Sequence, residues 1–256
     1  MGERVTGEPT TNDLEGRTAI ITGASRGIGH GIALKFGQLG ANVVATSRNT
    51  EALDELVAEL GRSGTQGLAV TADLAIETDV RRIASEALGR FGRIDILVNN
   101  AGIIHPQIHL LDFDIEMWKR VIDVNLTAPA ILIKAVLPSM IEHSYGRIIN
   151  ISSIGGRRGA RGRSAYRATK AALISLTESV AAEVRPFGID VNCICPGGVD
   201  TEGYREAFGE SHVTEGPTLM EAEDIANVAA FLASSKSSAI TGTAIDAFGD
   251  SNPLFR

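Results

Sequence analysis

The chain has 256 residues, 44% of them hydrophobic, and 24 Lys and Arg stand against 31 Asp and Glu for a formal net charge of −7. An acidic balance supplies no basic face for nucleic acid, and one Trp, three Tyr and eight Phe leave little for base stacking, so nucleic acid is excluded as a partner. The length suits one core, because chains split into domains only beyond about 250–300 residues.

Residues 1–13 carry Glu3, Arg4, Glu8 and Asp13 with no apolar core, which predicts a disordered tail rather than a secretory leader and points to the cytosol. A single domain over 14–256 is expected. From there, short β-branched runs alternate with amphipathic stretches. The strand candidates are Thr18 to Thr22, Asn42 to Ser47, Gly67 to Thr71, Ile94 to Asn99, Arg147 to Ile151, Asp190 to Ile194 and Thr243 to Ala247. Between them lie helical patterns over Ile28 to Leu39, Glu51 to Leu60, Val80 to Gly89, Ile115 to Ile141, Ser164 to Arg185 and Glu223 to Ala233. Strands apolar without alternation are covered on both faces, so this order predicts an α/β fold: a single-domain Rossmann-type, doubly wound parallel sheet of about seven strands, with function at the carboxyl ends of the strands. The Gly-rich stretch Pro196 to Thr218 is expected to be irregular and to cover the site. Lys134 and Pro138 break the most apolar window, arguing against a membrane span. Cys193 and Cys195 share one strand face and read as buried thiols, and no further Cys or His lies nearby in the sequence to complete a metal site.

The first strand runs into Thr22-Gly23-Ala24-Ser25-Arg26-Gly27-Ile28-Gly29, where a helix begins. Glycines there permit a tight turn, and the free N–H groups of a helix N-terminus attract a pyrophosphate, so Gly23, Ser25, Arg26, Gly27, Ile28 and Gly29 are candidate dinucleotide contacts. An NAD site usually has an acid about 20 residues further on. Here the second strand ends Ser47-Arg48, a pair suited to a ribose 2′-phosphate, with Arg26 within reach of the same group; NADP(H) is therefore the expected cofactor. Asp73, with Leu74 beside it, follows the third strand, as an adenine acceptor or a helix cap. Asn99-Asn100-Ala101-Gly102 follows the fourth, where asparagine side chains can tie neighbouring strand ends together.

Ser152-Ser153 ends the fifth strand, and Tyr166-Arg167-Ala168-Thr169-Lys170 opens a helix. Four residues apart, Tyr166 and Lys170 share a helix face, so an ammonium near the phenol is expected to lower its pKa from about 10 and make it a usable acid or base.

In combination these residues resemble the short-chain dehydrogenase/reductase superfamily over Arg17 to Ala247, including its NADP-dependent carbonyl and 3-oxoacyl reductase-like members. The motifs are Thr22 to Gly29, Asp73, Asn99 to Gly102, Asn125, Ser153, Tyr166 with Lys170, and Pro196-Gly197 with Thr201. The resemblance implies that Tyr166 exchanges the proton, Ser153 orients the carbonyl, Lys170 binds the nicotinamide ribose and Asn125 holds a relay water. It also implies that Pro196, Gly197, Val199 and Thr201 contact the nicotinamide amide, that the substrate is a small carbonyl or alcohol, and that the chain assembles as a homotetramer or homodimer through its two long helices. The alternatives are an NAD-dependent alcohol dehydrogenase of the same family and a cofactor-binding regulatory protein with weak catalysis. The C-terminal run Ile245 to Asp250 departs from the usual Asp-Gly-Gly turn. Arg157, Arg158, Arg161, Arg163 and Arg167 form a basic block after the catalytic serine, where Arg157 and Arg161 are the expected anion contacts and a solvated or subunit-facing loop is the plainer reading.

Overall fold

The computed structural model describes residues 13–209 and 218–253, so most of the expected tail lies outside the described residues. The strands are β1 (Thr18–Thr22), β2 (Asn42–Ser47), β3 (Gly67–Thr71), β4 (Ile96–Asn99), β5 (Gly146–Ile151), β6 (Ile189–Pro196) and β7 (Ala244–Ala247). All pair in parallel in one sheet of order β3-β2-β1-β4-β5-β6-β7. The helices are α1 (Gly27–Gln38), α2 (Thr50–Arg62), α3 (Glu77–Phe91), α4 (Ile115–Ile122), α5 (Ala128–Glu142), α6 (Ser164–Val184), α7 (Glu202–Phe208) and α8 (Ala222–Ala233).

Alternate side chains of one strand feed two cores. Ala19 and Ile21 of β1 pack with Phe36 of α1, Leu56 of α2 and Ile225 of α8, whereas Ile20 packs on the other face with Ile83 of α3, Leu132 of α5 and Val184 of α6. Full burial of one such aliphatic side chain stabilises by about 1.5–3 kcal/mol, which explains why the central strands are apolar throughout. The strand order turns outward in both directions from β1 and β4, and the crevice at their carboxyl ends is where such sheets bind ligands.

Three expectations change in the structure. Pro196 to Thr218 is not wholly irregular: Thr201 accepts a hydrogen bond from the Tyr204 N–H at 3.2 Å and starts α7, while residues 210–217 lie outside the described residues. The helix expected over Ile115 to Ile141 is divided by a π-helical turn, Asp123–Thr127, centred on Asn125. Ile115–Glu142 has the length and apolarity of a membrane span, contrary to the reading from Lys134 and Pro138. It is nonetheless a core helix, because Ala128, Leu132, Val136 and Met140 pack against the sheet. Cys193 and Cys195 are free and fully buried.

Candidate active site

The turn from β1 into α1 is shaped by close backbone approach. Gly23 and Gly27 have φ of +66° and +57°, a region that side chains disfavour, and a Cβ on Gly23 would stand 3.0 Å from the Cα of Ala101. Gly29 is buried and lines neither of the two cavities described below; a Cβ there would lie 2.3 Å from the Gly23 carbonyl oxygen and 2.4 Å from Asn100 Nδ2. Asn100 locks the turn from the neighbouring strand end: Nδ2 donates to the Thr22 carbonyl at 2.9 Å, and the N–H groups of Asn100 and Ala101 both donate to Thr22 Oγ1 at 3.0 Å. Asn99 instead donates to the Asn150 side chain at 2.9 Å. No side chain caps α1, so its first N–H groups face the crevice.

A cleft of about 590 Å³ runs from this turn along the strand ends. It brings together Gly23, Ser25, Arg26, Gly27, Ile28, Ser47, Arg48, Asp73, Leu74, Asn100, Ala101, Gly102 and Thr201 of the expected contacts. Arg48 is exposed and makes no hydrogen bond or ion pair among the described residues, though its charge acts on Asp73, whereas Arg26 is already taken by a bidentate pair to Glu206 of α7. Asp73 accepts from the Ala75 N–H at 3.0 Å and from Arg120 at 2.8 Å, and these bonds hold its carboxyl below the usual range against the opposing effect of desolvation. The capping and cleft-lining readings of Asp73 thus coexist.

A second cavity of about 290 Å³ adjoins the first and shares Ile28, Asn100, Gly102 and Thr201 with it. It is lined by Ser153, Tyr166, Lys170, Pro196, Gly197 and Val199. Ser152 Oγ is spent on the Lys170 carbonyl at 2.7 Å, leaving Ser153 to face Tyr166, to whose phenol it hydrogen-bonds. Lys170 is buried; its Nζ donates to the Ile151 carbonyl at 2.7 Å and lies 5.8 Å from the centroid of the Tyr166 ring. Asn125 lines neither cavity. Its Oδ1 accepts from the Ile103 N–H at 2.7 Å, while Nδ2 donates to Ile103 O and Thr169 Oγ1, each at 3.2 Å. The π turn puts this carboxamide between the β4 loop and α6, near Lys170: a Cβ on Gly102 would be 3.3 Å from Lys170 Nζ and 3.5 Å from Asn125 Oδ1.

The expected depression of the Tyr166 pKa by Lys170 does not occur. Burial pushes the phenol up, against the Ser153 hydrogen bond and the charges of Arg167 and Arg163, and burial also brings Lys170 down from 10.5 to about 8. Desolvation outweighs the pairwise attraction, because both groups sit where water is scarce. Nor do Arg157 and Arg161 face the cavity. Arg157 binds Asp246 at 2.8 Å and the Ala244 carbonyl at 2.7 Å, and Arg161 donates to His109 at 3.0 Å; Arg158, Arg163 and Arg167 are the arginines in the lining. His105 went unassigned from sequence. It is buried, accepts from the Tyr166 N–H at 3.3 Å through Nε2 and pairs with the Pro106 carbonyl at 2.7 Å through Nδ1, steadying the first turn of α6. Only its apolar surroundings in Ile103-Ile104-His105-Pro106 set it apart from a surface histidine.

The model of the short chain dehydrogenase family matches residues 17–211. The chain belongs to this family. Among its relatives, the 3-oxoacyl-[acyl-carrier-protein] reductase FabG of Escherichia coli is 38% identical over 244 residues, covering 93% of this chain and 98% of that one. An oxidoreductase of Bacillus subtilis, YxjF, is 36% identical over 246 residues, covering 90% and 95%. The crystal structure of a 3-ketoacyl-(acyl-carrier-protein) reductase from Brucella melitensis complexed with NADH superposes with a TM-score of 0.86 at 34% identity, over 93% of this chain and 99% of that one. A short chain dehydrogenase from Burkholderia cenocepacia in complex with NADP gives 0.87 at 31% identity, over 94% and 99%. This short-chain dehydrogenase is accordingly an oxidoreductase with a nicotinamide-cofactor fold.

Proposed function

We propose that this short-chain dehydrogenase reduces a ketone or aldehyde with NADPH, or oxidises the corresponding alcohol with NADP, with Tyr166 as the general acid and base. The observation that carries the reading is the continuity of the two cavities, one beginning at the uncapped N-terminus of α1 and the other ending at Ser153, Tyr166 and Lys170. A dinucleotide fits this arrangement, since the glycine turn leaves backbone N–H groups open where side chains would collide. Gly23, Gly27 and Ile28 would take the pyrophosphate, Asp73 and Leu74 the adenine, and Pro196, Gly197, Val199 and Thr201 the nicotinamide amide. Hydride transfer to or from the substrate carbon is the chemistry supplied there when the cofactor is bound. Ser153 holds the substrate oxygen. Tyr166, its pKa raised, keeps its proton through neutrality and gives it to that oxygen during reduction. Lys170 would bind the nicotinamide ribose, and Asn125, whose Nδ2 donates to the Ile103 carbonyl, would hold a relay water beside Lys170. In support of NADP, no acid ends β2, and Arg48 is an exposed guanidinium there, without a hydrogen bond or ion pair among the described residues, that would take a 2′-phosphate. Exposed Ile115, Met117, Leu110 and Leu111 beside α4 support assembly into a homotetramer or homodimer, and the free buried thiols suit a reducing cytosol.

The test is NADPH oxidation with a panel of ketones, in the wild type and in Tyr166→Phe. The variant keeps the ring and loses the donor, so turnover should fall by the roughly 100- to 10,000-fold credited to general acid–base catalysis while NADPH still binds. Near-wild-type turnover by Tyr166→Phe refutes the assignment.

A further inference from the structure

The arginines that line the inner cavity have no task in the chemistry above. We propose that this cavity takes a small free oxo acid or hydroxy acid, its carboxylate held by Arg158 and Arg167 with the charge of Arg163 behind them; the proposal rests on the carbonyl–alcohol reading of the preceding subsection. Among the described residues the lining holds Arg158, Arg163, Arg167 and Lys170 and not one Asp or Glu. In a chain of net charge −7 this is a local reversal of sign, and substrate anions would otherwise be repelled.

The contrast with the rest of the molecule sharpens the point. Ten other described arginines, Arg157 among them, hold a carboxylate. Among the described residues, the three in the cavity hydrogen-bond only to neutral groups. Arg163 donates to the carbonyl of His105 and to that of Ala207 at 3.1 Å, and its guanidinium lies 4.5 Å from the centroid of Phe208. It therefore fixes α7 over the cavity while its charge meets no carboxylate among the described residues. Arg167 spends one nitrogen on the Arg158 carbonyl at 2.6 Å, and the Arg158 side chain is exposed at the rim with no partner among the described residues. Carbonyl oxygens satisfy hydrogen bonds without cancelling charge. Consistently, desolvation and then the positive charges of Arg158 and Arg163 pull the Arg167 guanidinium below its ordinary value. A carboxylate between Arg158 and Arg167 would cancel that repulsion and form charge-assisted bonds. Both Arg163 and Arg167 act electrostatically on Tyr166, so the anion lies close to the reacting carbonyl. A cavity of about 290 Å³ then sets a compact acid as the occupant.

The experiment measures kcat/KM with NADPH for the oxobutanoate and oxopentanoate regioisomers and for the methyl ester of each, at low and at raised salt. At least one acid should exceed its ester by roughly 10- to 150-fold, the factor charge-assisted contacts supply, and the ratio should shrink as salt rises. Arg158→Ala and Arg167→Gln should each lower that ratio about tenfold or more, chiefly by raising KM for the acid. Arg161→Ala, outside the cavity, should leave it as in the wild type. Arg158 is exposed, so its substitution spares the fold, and thermal unfolding recorded beside the kinetics identifies any loss in Arg167→Gln that comes from misfolding. Esters reduced as well as acids in every pair, or a preference that survives both substitutions, overturns the proposal and leaves the reductase reading standing. Failure to turn over any ketone, neutral or charged, with NADPH bound overturns that reading and this one together.

Discussion

Gly29 is not among the residues that line the cofactor cleft, yet the cleft depends on it. Replacing it by Ala puts a methyl group 2.3 Å from the Gly23 carbonyl oxygen and 2.4 Å from Asn100 Nδ2, inside any van der Waals contact. Neither neighbour is free to yield. The carbonyl belongs to the positive-φ turn, and Asn100 Nδ2 is held by the Thr22 carbonyl at 2.9 Å. Overpacking of this kind costs about 1–3 kcal/mol, offset by at most about 1 kcal/mol from the better helix propensity of Ala. The change that relieves the clash moves α1 away from the turn, and with it the N–H groups aimed at the crevice. In a domain of this size each kcal/mol moves the melting temperature by about 2–4 °C, so Gly29→Ala should melt several degrees low. It should also lose most of the stabilisation that saturating NADPH or NADH confers. Gly89→Ala in α3 is the control: a Cβ there meets nothing within 4 Å, and the variant should gain about 0.5–1 kcal/mol and keep the cofactor effect. Thermal scans with and without cofactor measure both quantities. A Gly29→Ala protein that melts with the wild type and responds equally to cofactor would show that the turn and helix are not in contact as described.

Arg48→Ala should weaken NADPH binding by roughly 10- to 150-fold and change NADH binding little, since it removes one charge-assisted contact to a phosphate that NADH lacks; equal losses in fluorescence titrations with the two cofactors would assign Arg48 a structural role. Lys170 titrates at about 8 in the folded chain against 10.5 unfolded, so between these values the unfolded chain binds more protons and stability must rise with pH. The burial penalty is complete below about 8, and its removal by pH 10.5 adds of order 3 kcal/mol to wild-type stability that Lys170→Met cannot gain. Denaturant midpoints of the two proteins at about pH 7.5 and pH 10 check this, and parallel pH dependences contradict it. With the phenol of Tyr166 shifted upward, alcohol oxidation should accelerate as pH rises toward that value, while carbonyl reduction should not; an oxidation rate already level from neutrality would place the base elsewhere.

What the sequence determined by itself is local. Continuous β-branched runs between amphipathic stretches demanded a sheet covered on both faces, and the glycines from Gly23 to Gly29 demanded a turn into a helix, because both follow from backbone conformation and side-chain periodicity within a dozen residues. One helical turn between Tyr166 and Lys170 fixed their shared face in the same way. What only the tertiary structure decided is which charges meet and which lose their water. Arg26 is claimed by Glu206, 180 residues away, and Arg157 by Asp246, 89 residues away, so Arg158, Arg163 and Arg167 are left to the cavity. Asn125 looks like a flaw in an apolar helix until the π turn brings it to the Ile103 backbone. The ammonium is expected from spacing to lower the phenol's pKa, but the shifts of both groups follow chiefly from burial, which no spacing along the chain encodes. Desolvation and long-range pairing depend on everything packed around a group, and so they come into being only when the sheet and its helices close.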